Sequence, residues 1–278
     1  MDRKGKSLID VPQGEQNPLN FAISQGDRQT IAMVRDALDT KRLRLAYQPA
    51  VLSKDTARIA FHEGLMRVLD HTGRVIPAKD FMPAVEAHEI GREIDCAALR
   101  MGLITLSQQP HIRLSINMSA RSIGYPKWMK ILRQGLKSFP RVGERLILEI
   151  TESSAIMVPE IVITFMDDLQ TDGIAFALDD FGAGYTAIKY FKDFSFDILK
   201  IDGQFVRGIH CDRDNQVLCS ALLAIGKQFD MLTVAESVET IEDARFLQAL
   251  GIDCQQGYLF GAPTVNPEWA TQPRRQSA

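Results

Sequence analysis

Residues 43–65 read LRLAYQPAVLSKDTARIAFHEGL, and the spacing inside this stretch decides the fold. Two runs in it have the composition of strands, 43–51 (LRLAYQPAV) and 58–65 (RIAFHEGL). Only residues 52–57 lie between them. A parallel crossover needs about a dozen residues or more, whereas antiparallel neighbours need only a turn. The first two strands are therefore expected to run antiparallel.

Outward from this pair, six further strand candidates follow: 112–118 (IRLSINM), 145–151 (RLILEIT), 174–179 (IAFALD), 196–201 (FDILKI), 231–236 (MLTVAE) and 251–258 (GIDCQQGY). Helical patterns lie at 27–40, 79–107, 126–138, 158–172, 184–192, 213–229 and 240–250. Alternation of strand and helix implies a mostly parallel sheet. Eight such strands point to an α/β fold of the modified TIM-type, a (β/α)8 barrel with one reversed strand. Residues 1–25 are polar without a clear period and read as a leader or linker, possible disorder included. The barrel is assigned to 26–266, and 267–278 reads as a polar, frayed C-terminal tail.

Composition narrows the function classes. The chain has 278 residues and a formal net charge of −3, so no strong field favours a nucleic acid polymer. An anionic substrate would need local cations. The four cysteines form no CxxC pair and read as reduced thiols. The N-terminus lacks the apolar core of a signal peptide. No apolar run approaches a membrane span: Leu218–Ile225 is interrupted by Cys219 and Ser220. The expectation is a cytoplasmic protein without membrane insertion.

Polar residues gather at strand ends. Glu63 lies near the end of the second strand and Asn117 near the end of the third. Glu149 and Glu152 close the fourth, Asp179 and Asp180 the fifth, Lys200 the sixth, Glu236 the seventh and Gln256 the eighth. In a parallel barrel these ends share one face, where active sites sit. Glu63 joins them only if the second strand runs with the rest, which makes the first strand the reversed one. Singly, each residue has a plain structural role open to it. Glu152 and Ser153 could cap a helix, Asp179 and Asp180 could open an Asx turn, and Lys200 could snorkel from an edge. Jointly, seven strands ending in polar groups on one rim is a poor way to build a core. The set is hard and oxygen-rich, which suits Mg²⁺ or Mn²⁺ better than zinc. Adjacent Asp179 and Asp180 would allow one carboxylate to bridge two metals, an arrangement suited to phosphodiester cleavage.

At these residues the chain resembles the EAL domain family. Glu63-Gly64-Leu65-Met66-Arg67 is similar to the signature that names it. The likeness continues through PAKDFMPAVEAHEIGREID (77–95), LSINMSA (114–120), LEITES (148–153), DDFGAGY (179–185), FDILKID (196–202), VAESVET (234–240) and QQGYLFGAP (255–263). The resemblance implies a barrel with one antiparallel strand. It also implies hydrolysis of one phosphodiester bond of cyclic di-GMP to linear pGpG, with two Mg²⁺ or Mn²⁺ ions per site. Carried over, Glu63, Asn117, Glu149, Asp179 and Asp180 are metal ligands. Lys200 orients the attacking water, Glu236 is the general base or water-positioning carboxylate, and Glu152 anchors the loop after the fifth strand. Gln48, Leu65, Arg67 and Gln256 face the substrate. A homodimer is implied as well, with the aromatic stretch 184–194 as its candidate surface.

The sequence departs from the family pattern at three places. Gly64 stands for Ala and is expected to pack less and loosen its strand. Ala183 stands for Thr and loses a hydroxyl worth about 1 kcal/mol if it were hydrogen-bonded. Ser237 stands for Gly directly after Glu236 and would be strained if that position needs a positive φ. These departures leave a second reading open, a catalytically silent cyclic di-GMP receptor that signals through protein partners.

Overall fold

The computed structural model describes residues 18–183 and 191–271. Helix α1 (Pro18–Asp39) leads into β1 (Leu43–Leu52) and β2 (Asp55–Leu69). The short β3 (Val75–Pro77) folds back on β2, and α2 (Met82–Val85) and α3 (Glu89–Gln108) follow. Then come β4 (Leu114–Asn117), α4 (Pro126–Ser138), β5 (Leu146–Thr151), α5 (Glu152–Met157), α6 (Pro159–Gln170) and β6 (Ala175–Phe181). The remainder is β7 (Ile198–Ile201), α7 (Arg213–Gln228), β8 (Leu232–Ala235), α8 (Ile241–Leu250), β9 (Cys254–Gln256) and α9 (Glu268–Thr271).

Eight strands close a barrel. β1 pairs antiparallel with both β2 and β9. From β2–β4 round to β8–β9 every pairing is parallel. The short link after β1 thus acts as expected, and more tightly: Leu52 already pairs with Asp55, so the connection is a hairpin. Strands covered on both faces are apolar nearly throughout: in β5, Leu146–Ile150 are all buried, with Glu149 the one charged residue among them.

Side chains alternate across each strand with period two, and the barrel interior shows this as two stacked layers. Ala50, Phe61, Ile147, Ala177, Ile198, Val234 and Cys254 pack together as a cluster of their own. Two positions along each strand from these stand Gln48, Glu63, Glu149, Asp179, Lys200, Glu236 and Gln256. Ser115 and Asn117 repeat the pattern on β4. The lower layer is an apolar floor and the upper layer is the polar ring.

Several boundaries differ from the sequence expectation. Helix α1 begins at Pro18, inside the stretch read as leader. The helix expected over 79–107 is broken, because His88 is extended at φ −102, ψ 166 between α2 and α3. The short α5, unforeseen, precedes α6. Within the tail expected to fray from 267, Trp269 is packed, edge-on against Tyr47 at 5.4 Å and His62 at 4.4 Å. Residues 184–190, most of the helix expected at 184–192 and of the aromatic stretch 184–194, lie outside the described residues. No described helix is long and apolar enough to cross a membrane.

Candidate active site

The polar ring is built around Lys200, which is fully buried on β7. Its Nζ lies 2.7 Å from Glu236 Oε1, 2.9 Å from Glu149 Oε2, 2.9 Å from Asp179 Oδ1 and 3.4 Å from Glu63 Oε2. A snorkelling edge lysine is therefore excluded. An ammonium has three N–H donors, so it cannot serve four carboxylates fully. The shortfall is visible: Glu149 Oε1 and Asp179 Oδ1 are buried without a hydrogen bond among the described residues, the latter held to Lys200 as an ion pair outside hydrogen-bonding geometry.

Amides brace the ring from the other side. Asn117 Nδ2 donates to Glu63 Oε1 at 2.8 Å, and Gln256 Nε2 donates to Glu63 Oε2 at 2.7 Å. Gln256 Nε2 also reaches Gln48 Oε1 at 3.3 Å, and Gln48 Nε2 donates to the Gly261 carbonyl at 3.1 Å. Leu65 and Arg67 continue the Glu63 face of β2 beyond the ring. Both are half-buried, and Arg67 Nη1 donates to the Met66 carbonyl at 2.9 Å.

Two neighbouring aspartates on a regular strand would point to opposite faces. The β6–β7 register shifts between Leu178 and Phe181, and Asp180 sits at φ 55. This bulge re-aims the side chain. Ligand oxygens of Asp179, Asp180 and Glu236 consequently lie within 4.8 Å of one another. The loop beyond is tied down from α5: Glu152 Oε2 accepts from the Gly182 N–H at 3.0 Å. Glu152 is not the cap of α5, since Thr151 takes that role through the Ser154 N–H.

Charge crowding sets the protonation. Burial opposes ionisation of Glu63, but the Lys200 charge and the bonds from Asn117 and Gln256 outweigh it and hold its pKa below the usual range. Glu149 is pushed up to about 8 by burial and by the Glu63 charge. Burial and Asp179 raise Asp180 to about 6. Burial, with Asp179 and Glu63, also raises Glu236, against the pull of Lys200. Lys200 itself is held charged, the four carboxylates overcoming its burial. Five carboxylates facing one ammonium, with orphaned buried oxygens among them, form a hard-oxygen donor set that fits divalent cations, and such cations would draw these acids back to the ionised form.

Two supporting groups were not foreseen. Asp95 is buried on α3 and accepts from the Ser122 hydroxyl at 2.6 Å and the Ser119 N–H at 3.1 Å, fixing the turn after Asn117. Its signal in the sequence was a carboxylate on the apolar stripe shared with Gly91, Ala98 and Gly102. The other is Arg207, whose Nη2 donates to Ser237 Oγ at 3.0 Å. Ser237 does adopt a positive φ, of 56. Gly64, by contrast, does not leave its strand loose as expected, because Ile116 Cδ1 fills the space beside it at 2.7 Å from where a β-carbon would be. Ala183 is exposed, and its N–H donates to the Asp180 carbonyl at 3.1 Å.

Comparison with known proteins agrees with this fold. The bifunctional diguanylate cyclase/cyclic di-GMP phosphodiesterase MucR of Pseudomonas aeruginosa is 31% identical over 247 residues, covering 87% of this chain and 36% of that protein. The cyclic di-GMP phosphodiesterase PdeF of Escherichia coli is 32% identical over 284 residues, covering 98% of this chain and 37% of that protein. The chain thus spans about a third of the length of the curated relatives it matches. Among solved structures, the PaMucR phosphodiesterase in complex with c-di-GMP superposes with a TM-score of 0.74 at 30% identity, covering 85% of this chain and 97% of that one. An EAL domain protein from Listeria monocytogenes gives 0.74 at 26% identity, covering 84% and 93%. Residues 31–263 match the model of the EAL domain, and the chain belongs to the EAL domain family.

Proposed function

We propose that this chain hydrolyses one phosphodiester bond of cyclic di-GMP to give linear pGpG. The observation that carries the reading is the buried Lys200 ammonium inside a ring of carboxylates with oxygens to spare, at the C-terminal mouth of the barrel. Relatives named as cyclic di-GMP phosphodiesterases support the substrate class.

Glu63, Asn117, Glu149 and Asp179 would hold one Mg²⁺ or Mn²⁺ ion, and Asp179 with Asp180 a second. When bound, such ions neutralise the scissile phosphate and lower the pKa of water. Glu236 accepts the proton of the attacking water. The water oxygen bonds to phosphorus, the bond from phosphorus to the 3′ oxygen breaks, and that oxygen takes up a proton from solvent, to which Glu236 later returns its own. Lys200 Nζ holds Glu236, Asp179 and Glu149 in place and adds positive charge beside the reacting phosphate. Arg67 is suited to a non-bridging phosphate oxygen. Gln48 and Gln256 orient the ring edge, and Leu65 offers apolar contact. Glu152 pins the loop that follows Asp179 and Asp180. A homodimer and a cytoplasmic location remain part of this proposal.

One observation favours the second reading, a silent cyclic di-GMP receptor: Ser237, directly beside Glu236, is in a conformation that side chains other than glycine resist. Incubation of the purified protein with cyclic di-GMP and Mn²⁺, followed by chromatography, separates the two. Linear pGpG formed by the intact protein and not by Glu63→Ala supports the enzyme. Binding without product supports the receptor.

A further inference from the structure

The segment that follows β8 is fixed on both sides of a strained residue. The Glu236 N–H donates to the Ile201 carbonyl at 3.2 Å, and the Val238 N–H donates to the Gln256 carbonyl at 3.0 Å. Between them, Ser237 sits at φ 56, in the left-handed region. On the β9 side the approach is close enough that a β-carbon on Gly257 would lie 2.1 Å from the Val238 carbonyl oxygen. On the β7 side the Ser237 side chain occupies the space above Gly203. A β-carbon there would come within 2.4 Å of Ser237 Oγ and 2.6 Å of its Cβ. Gly203 has no positive φ, so what it supplies is room. Arg207, from the same loop, donates to Ser237 Oγ at 3.0 Å and lies 3.7 Å from Glu239.

A serine where the family pattern has glycine is thus matched by two features of the facing loop, an empty place at 203 and a donor at 207. We infer that Arg207 and Gly203 clamp Ser237 and so set the backbone from which Glu236 reaches into the ring, which makes Arg207 a positioning residue rather than one that touches substrate. The inference rests on the phosphodiesterase reading for its effect on turnover, but not for the clamp itself. Strain at a non-glycine residue persists only where the surroundings over-determine it; here the bonds to Ile201 and Gln256 fix the backbone on either side, and the loop after β7 holds the side chain. That loop and the proton-accepting carboxylate are consequently mechanically linked in this chain. A glycine at 237 would uncouple them.

The test is a pair of double-mutant cycles on the same chain. Arg207 is largely exposed, with its side chain at 59%, so Arg207→Ala is expected to fold. In the native background it should lower kcat about tenfold with KM changed less than about twofold, and weaken Mn²⁺ binding several-fold by calorimetry; in the Ser237→Gly background it should do neither. Gly203→Ala should lower Tm in the native background and be tolerated with Ser237→Gly. Equal effects of Arg207→Ala in both backgrounds, or a change confined to KM, would place Arg207 on the substrate and overturn the clamp. So would a Gly203→Ala penalty that Ser237→Gly does not relieve. If the unaltered protein makes no pGpG, the catalytic reading fails, and the Mn²⁺ and unfolding cycles still decide the clamp.

Discussion

Ile116 Cδ1 stands 2.7 Å from the position a β-carbon on Gly64 would take, and the same atom stands 2.8 Å from that position on Gly102. One isoleucine therefore fills the gap between β2 and α3 that two glycines leave. Gly64→Ala would meet both Ile116 and the Ser115 carbonyl oxygen at 3.2 Å. Overpacking of this kind costs about 1–3 kcal/mol. Ile116→Val removes the offending carbon at a cost of about 0.5–1.5 kcal/mol alone. The pair should be more stable than the sum of the two single changes, read from denaturant midpoints at constant m-value. Strict additivity would show that Gly64 is there for backbone freedom and not for Ile116.

Lys200→Met should abolish turnover and also destabilise the fold. Removing one member of a buried ion cluster costs about 3–5 kcal/mol, because the remaining charges lose their partner. The sign with pH follows from Glu149, whose folded pKa is already raised to about 8. Loss of the ammonium raises Glu149 and Glu236 further above their unfolded values and removes the charge that holds Glu63 low. Stability from such groups is present at low pH and lost as pH rises through the folded pKa. The deficit of the variant against the native protein should hence be smaller at pH 5 than at pH 8, measured by thermal unfolding in chelator.

The reversed strand and the polar ring were legible because both rest on counting. A link of six residues cannot cross a sheet, and a period of two puts Glu63 over Phe61, Glu149 over Ile147 and Lys200 over Ile198. What counting could not reach depends on contacts between distant segments. Strict alternation would send Asp180 away from Asp179, and only the β6 bulge brings both to one site. The packing of Trp269 on His62 joins residues about two hundred positions apart in the sequence. The first turns of helix α1, over 18–26, carry Leu19, Ala22 and Ile23 at helical spacing, but they directly follow a polar stretch with Gly and Pro and read as part of it. Ser237 was suspected from its neighbour Glu236, but its partner Arg207 lies thirty residues earlier, on another strand's loop.

Asp95 gives a pH-dependent signature away from the ring. Burial pushes its carboxyl up to about 6, against the bonds from Ser122 and Ser119, with a small further push from Glu86. The folded pKa exceeds the unfolded value near 4, so the folded state binds more protons. Stability should fall as pH rises from about 4 to about 6, and then level off, with a span of at most about 3 kcal/mol. One oxygen, Oδ2, accepts both hydrogen bonds. Asp95→Asn can keep that acceptor and lose the titration. The difference between the two proteins in denaturant stability should change across pH 4–6 and be constant above it. A constant difference throughout would mean that Asp95 ionises without penalty in the folded protein.

Glu152 separates anchoring from charge. Its Oε2 accepts from the Gly182 N–H at 3.0 Å, and Gly182 follows Asp179, Asp180 and Phe181 directly. A glutamine can offer a carbonyl oxygen in the same place, but an alanine cannot. If the role is to hold the loop, Glu152→Gln should keep most of the Mn²⁺ affinity, whereas Glu152→Ala should weaken it about tenfold or more. Turnover should follow the same order, since the carboxylates of Asp179 and Asp180 must converge with Glu236. The stability change should be modest in both, because the bond joins a loop to a short helix; loss of one such bond costs about 1 kcal/mol. The opposite order, with Gln as damaging as Ala, would mean that the charge of Glu152 acts on the site directly. Its second oxygen, Oε1, is buried without a hydrogen bond among the described residues. That oxygen gives the charge reading a place to act, and the Gln variant is the measurement that decides between them.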